Sequence, residues 1–426
     1  MRHLQDGYVV DVPYPTFVHR QAMPVWLQSL VQFQGYQAPD IQKPYRYLEL
    51  GCAMGVHLHL TASANPLGHF VGVDFNAQQL LVADEGLKRT KIDNIEFIQS
   101  NFADFLQQDV EPFDFIVTHG VWSWISPENQ KIMVEIINKL LKKNGILYCS
   151  YMCHPGATGL TSIQKLMFEM SRNLQGDSAT KAMQGVHLAR QIGRSNVGLF
   201  EKIPSLNEEL AALAQDKPSY VAHDFLSEHW QPQHSADMLR TFGKIGLMYA
   251  GSAGIVDNLD VISLPPEIQE IVQSLPLITL KETVKDIARN TLQRQDIYVR
   301  DRQKLTKEQL SQFYSTIKLG LLPKAPIGQS LKSDLKLGRL YDVIPTFENI
   351  LKILSEKNTS ILQLQEYLKL NIQQVVDIIQ LLIWSGYVHP LREDSPSNFS
   401  ELMNTWMKEQ NLPWCNLPNF GTAVEL

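Results

Sequence analysis

The chain has 426 residues, of which 44% are hydrophobic and 19% are charged, and these are the proportions of a folded globular protein of two or three domains. Lys and Arg number 38 against 44 Asp and Glu, so the net charge of −6 argues against a protein that binds nucleic acid through its overall charge. No run of 18 apolar residues is present, and the first residues lack the apolar segment of a signal peptide, so neither a membrane span nor secretion is predicted.

The first third of the chain alternates short apolar runs with helical stretches. Strand–helix alternation is typical of a parallel sheet with helices on both faces, so the predicted fold class is α/β with a Rossmann-like sheet. The predicted strands are 45–50, 70–73, 95–98, 113–117 and 146–151. The predicted helices are 57–64, 76–91 and 126–143, the last ended by Asn144 and Gly145.

The middle of the chain is predicted to be mostly helical. Residues 155–220 and 258–296 are interpreted as helical insertions into one α/β domain. The apolar runs 247–250 and 297–300 are predicted to be further strands of the same sheet.

The C-terminal part follows a linker at 324–332 that contains Pro and Gly. Three predicted helices there, followed by a short extended run, resemble an all-α winged-helix module. Residues 340–394 hold four Lys and Arg against seven Asp and Glu, and 371–385, where a recognition helix would lie, holds no Lys or Arg. Because a DNA-binding surface needs cations for the phosphates, we expect an interaction or lid module and no nucleic-acid partner.

Four cysteines are too few for a disulfide framework in a chain of this length. Cys149 and Cys153, with His154 beside them, have a spacing that suggests a metal site, but no second pair completes the four ligands of a structural zinc. The sequence therefore predicts reduced, buried thiols, no metal and a cytoplasmic location.

The most informative stretch is Leu48–Gly55, which joins the first predicted strand to the first helix. Small residues at a helix N-terminus let backbone N–H groups approach a ligand closely. The next strand ends at Asp74, whose carboxylate is placed to accept both hydroxyls of a ribose. The loop and the acid together indicate a site for a cofactor that contains adenosine.

The identity of that cofactor is indicated by a carboxylate and by a missing glycine. The loop lacks the third glycine of the dinucleotide fingerprint. Glu49 would repel a pyrophosphate but attract the ammonium and sulfonium groups of S-adenosylmethionine. Leu48–Gly55 resembles motif I of class I S-adenosylmethionine-dependent methyltransferases, and Val71–Asp74 resembles their second motif. Ala53 stands where that family usually has Gly.

The resemblance implies cofactor contacts from the loops that follow four strands. Residues after the third strand would surround the adenine, and residues after the fourth would face the sulfonium and the acceptor. The residues that it assigns to the cofactor are Glu49, Gly51, Cys52, Ala53, Gly55, Asp74, Phe75, Asn101, Phe102 and His119.

A narrower resemblance extends over residues 7–300. The run His119–Pro127 is similar to a signature of bacterial methyltransferases that carry a methyltransferase regulatory domain, a group that includes rickettsial-type lysine methyltransferases of an outer-membrane protein. A shorter match covers Tyr220–Phe225. Met152–Ala157 departs from the family, which tends to have Asn and later Pro-Gly-Trp there. Because that segment lies near the mouth of the cleft, the identity of the substrate stays open.

The resemblance implies methyl transfer to a protein lysine amine, with S-adenosylhomocysteine as the product. Aromatic faces and hydroxyls would desolvate and hold that amine. The residues that we assign to the catalytic, acceptor-facing side are Tyr14, His119, Trp122, Trp124 and Tyr151, with Tyr220 as a further candidate. A small-molecule N- or O-methyltransferase and a non-catalytic S-adenosylmethionine-binding regulatory protein are the alternatives. The partner is accordingly a protein or a small-molecule acceptor, and the oligomeric state is open, with a homodimer as one option.

These assignments divide the chain as follows. The predicted segments are an N-terminal lid at 1–40, the cofactor-binding core at 41–155, a helical insertion at 156–220, a return to the core at 221–257, a helical regulatory insertion at 258–296, the last core strand and helix at 297–323, the winged-helix-like module at 333–395 and a tail at 396–426.

Overall fold

The computed structural model describes residues 4–328, 344–392 and 399–426. The chain opens with a short hairpin, β1 (Leu4–Gln5) and β2 (Tyr8–Val9), and continues without regular structure to a 3₁₀ turn at Arg20–Ala22. Helix α1 (Pro24–Phe33) begins at Pro24, whose fixed φ suits the first helical position. This helix is buried along most of its length, so it belongs to the core of the protein.

The α/β core follows α1. Its elements are β3 (Tyr45–Leu50), α2 (Val56–Ser63), β4 (Gly68–Asp74), α3 (Ala77–Thr90), β5 (Ile95–Gln99), α4 (Phe102–Leu106), β6 (Phe113–Thr118), a 3₁₀ turn at Trp122–Trp124, α5 (Pro127–Leu140) and β7 (Leu141–Met152). The five strands are parallel in the order β5-β4-β3-β6-β7. The Rossmann-like sheet expected from the alternating pattern is therefore present.

One boundary in this core differs from the prediction. We expected α5 to run to Lys143 and to be stopped by Asn144 and Gly145, but it ends at Leu140. β7 starts at once, because Leu141 pairs with Phe113 of β6 and both side chains are buried in the core. Strand pairing here overrides the helix propensity of the Leu-Lys-Lys run.

A helical layer comes next. It consists of α6 (Thr158–Ser171), α7 (Ser178–Gly193), α8 (Leu199–Lys202), α9 (Ser205–Leu213) and α10 (Pro218–Phe225). Its apolar core also takes in Val9 and Val12 of the N-terminal segment. The stretch predicted to return to the core at 221 begins inside α10, which still packs against α6 and α7.

The chain then rejoins the sheet. The elements are α11 (Ser235–Gly243), β8 (Leu247–Ser252), a 3₁₀ turn at Ile255–Asn258, α12 (Asp260–Ser263), α13 (Pro266–Ser274), α14 (Ile278–Arg289) and β9 (Gln293–Arg300). β9 lies antiparallel between β7 and β8, which makes a mixed sheet of seven strands in the order β5-β4-β3-β6-β7-β9-β8. The helix predicted up to residue 296 is wrong at its end, because Gln293 already pairs with Met152 of β7.

The short helices between β8 and β9 are attached to the sheet by charged groups. The residues of α14 that are buried are Glu282 and Asp286. The guanidinium of Arg294 on β9, 6% exposed, donates to Glu282 Oε2 at 2.8 Å, to Asp286 Oδ1 at 2.7 Å and to Asp296 Oδ1 at 2.9 Å. A buried cation with three carboxylates thus joins this region to the sheet.

The C-terminal part contains both helices and strands. Its elements are α15 (Lys307–Thr316), β10 (Lys318–Leu321), α16 (Ile344–Glu356), β11 (Thr359–Ser360), α17 (Ile361–Leu368), α18 (Ile372–Trp384), β12 (Val388–Pro390), α19 (Ser400–Glu409), β13 (Trp414–Leu417), a 3₁₀ turn at Pro418–Phe420 and β14 (Thr422–Glu425). β10 pairs antiparallel with both β11 and β12, and β13 pairs with β14. The prediction of an all-α module is therefore wrong, although its three helices are present.

The C-terminal part packs against the α/β core. Trp406 of α19 contacts His59 of α2, and the side-chain amide of Asn416 donates to Leu60 O at 2.9 Å and to Ser63 Oγ at 2.6 Å. The end of the predicted linker and the predicted start of the module at 333 lie outside the described residues. In the part of the chain that is described, no helix is long and apolar enough to cross a membrane.

Candidate active site

Two adjoining cavities lie at the carboxyl ends of β3, β4, β5 and β6, where open α/β sheets bind their ligands. The larger cavity, of about 900 Å³, is bordered by the ends of β4, β5 and β6, and the smaller cavity, of about 470 Å³, lies over the loop between β3 and α2; both volumes include space open to solvent. The two cavities share Tyr14, Gly51, Ala53 and His119.

The loop between β3 and α2 depends on two glycines. Gly51 and Gly55 have φ values of +80° and +68°, in the left-handed region that favours glycine. A Cβ atom at Gly51 would lie 2.5 Å from the side chain of Val121, and one at Gly55 would lie 2.6 Å from the ring of Phe97. The loop therefore keeps its shape only if both positions stay glycine. Ala53 also has a positive φ of 49°.

Asp74 ends β4 and holds this loop in place. Its Oδ2 accepts a hydrogen bond from Ala53 N–H at 2.8 Å, and its Oδ1 accepts one from Asn76 N–H at 2.9 Å. Burial raises the pKa of Asp74, and these backbone donors offset part of the rise. The carboxylate lines the larger cavity, so it can also accept bonds from a ligand there.

Glu49 lies beneath the loop and lines the smaller cavity. Its side chain is 6% exposed, and Oε2 has no hydrogen-bond partner among the described residues. Burial, and then the nearby charge of Asp74, raise the pKa of Glu49 to about 8. A buried acid without a partner favours a cationic group beside it, because a cation would offset the cost of burying the carboxylate.

The loops after β5 and β6 complete the cavity walls. Asn101 caps α4 by accepting from Asp104 N–H at 2.8 Å, and Phe102 next to it lines the larger cavity. His119 follows β6, and its Nδ1 lies 2.7 Å from the hydroxyl of Tyr148. The ring of His19, from the N-terminal segment, stacks on the ring of His119 with their centroids 3.4 Å apart. Burial lowers the pKa of both histidines, that of His19 to about 4, so both are neutral near pH 7.

The N-terminal segment and α10 form a group of polar side chains, of which Tyr8 and Tyr14 line the larger cavity while Tyr220 and Asp224 line neither cavity. This tyrosine cluster consists of Tyr8, Tyr14, Tyr220 and Asp224. Asp224 accepts a hydrogen bond from Tyr220 and interacts electrostatically with the hydroxyls of Tyr8 and Tyr14. Burial raises the pKa of Asp224 to about 7. Tyr8 and Tyr14 line the larger cavity, so a carboxyl group lies behind two hydroxyls at its wall.

All ten residues predicted to contact the cofactor line one or both cavities. Among the residues predicted for the acceptor side, Tyr14, His119 and Trp124 line the larger cavity. Trp124 Nε1 donates to the carbonyl of Asp224 at 3.1 Å, which ties this wall to α10.

Two residues predicted for the acceptor side lie elsewhere. Trp122 is 3% exposed and packs in the core, with its ring 5.4 Å from that of Phe242. Tyr151 is fully buried, and its hydroxyl donates to Asp296 Oδ2 at 2.6 Å within the ion-pair cluster of Arg294. The assignment of both as cleft residues is wrong: Trp122 packs into the apolar core, and Tyr151 lies in β7 with its hydroxyl held by the charges of β9.

Sequence reasoning gave no function to several residues that line the cavities. The most prominent are Tyr8 and His57. Asp224, which was also given no function, lines neither cavity but interacts electrostatically with Tyr8 and Tyr14. The match at Tyr220–Phe225 was a signal for Asp224, but nothing in the sequence shows that this segment contacts the N-terminus. His57 falls within the predicted helix 57–64, where the sequence gives no sign of a function, yet it is 7% exposed and lines the smaller cavity.

Two family models match the chain. A methyltransferase domain matches residues 41–232, and a predicted methyltransferase regulatory domain matches residues 217–300. The first match contains the glycine loop, Asp74 and the loops after β5 and β6. The second contains α10, α14 and β9.

Known proteins resemble the chain over most of its length. An uncharacterized protein of Synechocystis sp. is 27% identical over 98% of this chain and 85% of its own length. An uncharacterized protein of Rickettsia prowazekii is 31% identical over 51% of this chain and 86% of its own length. The structure of PKMT2 from Rickettsia typhi, also solved in complex with AdoHcy, superimposes with a TM-score of 0.72 at 20% identity, and the match covers 97% of this chain and 86% of that one.

Proposed function

This chain belongs to the S-adenosylmethionine-dependent methyltransferases that carry a predicted methyltransferase regulatory domain, and we propose that it transfers the methyl group to the side-chain amine of a lysine in a protein. The observation that supports a lysine acceptor is the tyrosine cluster, in which Asp224 lies behind the hydroxyls of Tyr8 and Tyr14. The proposal also agrees with the fold, which PKMT2 shares over almost the whole chain.

The residues of the two cavities fit this cofactor. The unpartnered Oε2 of Glu49 suits the cationic amino-acid end, and Asp74 suits the ribose hydroxyls. Gly51 and Gly55 let the backbone approach the ligand, since a Cβ atom at either position would clash. Phe75, Asn101 and Phe102 line the larger cavity on the side where the adenine would lie. When bound, S-adenosylmethionine supplies a methyl group on a sulfonium, which a nucleophile can attack in line.

The chain's own residues would prepare the nucleophile. A lysine arrives as an ammonium ion, because its ordinary pKa is about 10.4. The carboxylate of Asp224 would attract that ion, and the hydroxyls of Tyr8 and Tyr14 would orient it by accepting hydrogen bonds. Desolvation in the cavity lowers the pKa of the amine, and Asp224, with a pKa of about 7, can hold the proton that leaves. His119 is buried and neutral, so we assign it to shaping the cavity rather than to carrying a charge.

The C-terminal part supports a protein acceptor in a second way. Three helices and the sheet β11-β10-β12 form a C-terminal part that packs against the α/β core, and the helices α6–α10 form a second layer beside it. We propose that these parts serve as a platform for a protein substrate and not as a reader of DNA. The division into domains and the cytoplasmic location stay predictions of the sequence.

The acceptor can be tested directly. The protein is incubated with a lysate and methyl-labelled S-adenosylmethionine, and the labelled macromolecules are hydrolysed to amino acids. We expect label in methylated lysine, and none with the Asp74→Ala variant. Label only in small molecules would replace the proposed acceptor by the small-molecule alternative. S-Adenosylmethionine binding without turnover on any acceptor would favour a regulatory binding protein.

A further inference from the structure

The smaller cavity contains two buried polar atoms that lack a partner. One is Oε2 of Glu49, and the other is Nε2 of His57, which lies in the first turn of α2. Both side chains line this cavity, and both are more than nine-tenths buried, at 6% and 7% exposure. Buried polar groups are normally hydrogen-bonded, so a pair of such atoms in one cavity points to a ligand that satisfies both.

The backbone determines which nitrogen of His57 carries the proton. His57 Nδ1 accepts a hydrogen bond from the backbone N–H of His19 at 3.3 Å, so this nitrogen has no proton. Burial lowers the pKa of His57 to about 3, which keeps the imidazole neutral. A neutral imidazole has one N–H, and here it must be at Nε2. The unpartnered atom of His57 is therefore a hydrogen-bond donor.

The cavity thus offers a donor and a carboxyl acceptor to one ligand. An α-amino acid end has the opposite pattern, with a carboxylate that accepts and an ammonium that donates. We propose that Nε2–H of His57 binds the α-carboxylate of the cofactor's amino-acid end, while Glu49 faces its ammonium. The N-terminus of α2 adds a favourable partial charge for the carboxylate. The inference rests on the cofactor and is independent of the proposed lysine acceptor.

The N-terminal segment has a defined part in this arrangement. Its residue His19 supplies the N–H that fixes the tautomer of His57, and its ring stacks on His119 at 3.4 Å between centroids. His19 acts here as a positioning residue, since it sets the donor without lying between the donor and the ligand. The N-terminal segment, which lines both cavities through Tyr14, is therefore expected to matter for binding the amino-acid end.

The test compares ligands that differ at the amino-acid end. Calorimetry measures the affinity of the full chain for S-adenosylhomocysteine, for its decarboxylated analogue and for 5′-methylthioadenosine, which lacks the amino-acid end. The variants are His57→Leu, which removes the donor, and His57→Gln, whose amide can still donate. His59→Leu is the matched control, because His59 is buried two positions further along α2, bonds to Ala83 O and lines neither cavity.

We expect His57→Leu to weaken S-adenosylhomocysteine binding by about 10-fold or more, the size of a hydrogen bond to a charged group. The affinities of the other two ligands should stay within about 2-fold, and His57→Gln should recover most of the loss. Equal losses for all three ligands, or no loss for S-adenosylhomocysteine, would overturn the inference. If the wild-type protein bound no S-adenosylhomocysteine, the assignment of the cofactor itself would fail, and the inference with it.

A second measurement needs no variant. With ¹⁵N-labelled histidine, NMR should show His57 protonated at Nε2 in the free protein. This nitrogen should shift when S-adenosylhomocysteine is added, and should stay in place with 5′-methylthioadenosine. A proton on Nδ1, or the same shift with both ligands, would contradict the proposed contact.

Discussion

The two sides of the cleft are built in different ways. The cofactor side comes from consecutive strand–loop–helix units, in which Asp74 reaches back to the loop before α2 through one hydrogen bond of 2.8 Å. The acceptor side comes from the N-terminal segment and α10, which are joined by a bond from His223 to Val12 across 211 positions of the sequence. A short motif can therefore describe the first side, whereas only the folded chain assembles the second.

This difference has a functional consequence. The cofactor side relies on backbone shape and on two carboxyl groups, so substitutions there should change ligand binding. The acceptor side relies on side chains that meet at the cavity wall, so substitutions there should change turnover and leave cofactor binding intact. Four predictions test how the two sides work, and the first two test this separation directly.

The largest effect is expected on the cofactor side. Asp74→Ala removes the acceptor for two ribose hydroxyls and also the bond that holds Ala53 N–H. We expect affinity for S-adenosylhomocysteine to fall by about 1,000-fold, as two hydrogen bonds to a charged group are lost. Calorimetry measures this loss. Asp74→Asn keeps part of the backbone bonding, so its affinity should lie between those of Asp74→Ala and the wild type. Equal affinities of Asp74→Ala and the wild type would contradict the proposal that Asp74 binds the ribose hydroxyls.

The next effect is expected on the acceptor side. Asp224→Asn removes the charge that would hold the lysine ammonium, so kcat on a protein acceptor should fall by about 100-fold, in the range for loss of a general base. Affinity for S-adenosylhomocysteine should stay unchanged. Asp216→Asn is the control, since this carboxylate contributes to the electrostatics of Asp224 but is exposed, whereas Asp224 lies behind the hydroxyls of Tyr8 and Tyr14. A parallel loss of cofactor binding in Asp224→Asn would show that the two sides are not separable.

A smaller effect concerns pH. Glu49 has a pKa of about 8 in the free protein, so at pH 7 it is mostly protonated. An ammonium favours the ionised form, and binding must release that proton. Affinity for S-adenosylmethionine should therefore rise with pH by up to about 10-fold per unit and level off above pH 8.

Calorimetry at pH 7 in two buffers with different ionisation heats measures the released proton. Glu49→Gln is the control, because it has no acid to titrate and should keep only the pH dependence of the ligand. If wild type and Glu49→Gln release the same number of protons, Glu49 does not face the ammonium.

The smallest effect concerns the shape of the loop. Ala53 has a φ of +49°, which is costly for a residue with a Cβ atom. Ala53→Gly should raise the free energy of unfolding by about 0.5 kcal/mol, because the greater freedom of the unfolded chain offsets part of the gain. Ala62→Gly, a buried position in the last turn of α2, should lower it by about 1 kcal/mol. Urea unfolding measures the change in free energy for both variants. A loss of stability in Ala53→Gly would contradict the claim that the backbone at Ala53 is strained.

The sequence predicted those parts of the fold that rest on local patterns. The five parallel strands follow from apolar runs bounded by helix signals, and β3 has the predicted bounds of 45–50. The start of β9 at Gln293 could not be found in this way, because its polar first residues become a strand only by pairing with Tyr151 and Met152 of β7. The strands β10, β11 and β12 have four residues or fewer, and they form only by pairing with one another in the folded chain.

In the candidate site, too, the sequence predicted only the residues that follow from a local pattern. Glu49, the glycines and Asp74 could be identified because fixed spacing puts them at the ends of neighbouring strands. His57 could not, since its neutral state and its tautomer come from burial and from a backbone N–H at His19. Trp122 and Tyr151 were misassigned because an aromatic residue near the end of a strand can face a cleft or the core, and only packing decides between them.

The ion-pair cluster of Arg294, Glu282, Asp286 and Asp296 restricts which substitutions this part of the protein can accept during evolution. α14 is held to the sheet through Glu282 and Asp286, whereas Ile278 and Ile287 on the same helix are exposed. Removing one member leaves the others buried without compensation, which typically costs about 3–5 kcal/mol, whereas replacing the whole set by apolar residues of similar volume is often neutral.

The intermediate steps of such a replacement are therefore the harmful ones. A lineage that alters Arg294 alone passes through a destabilised protein, and selection removes it before the carboxylates can follow. Arg294, Glu282, Asp286 and Asp296 should consequently be inherited together or lost together, while the exposed isoleucines of α14 drift independently.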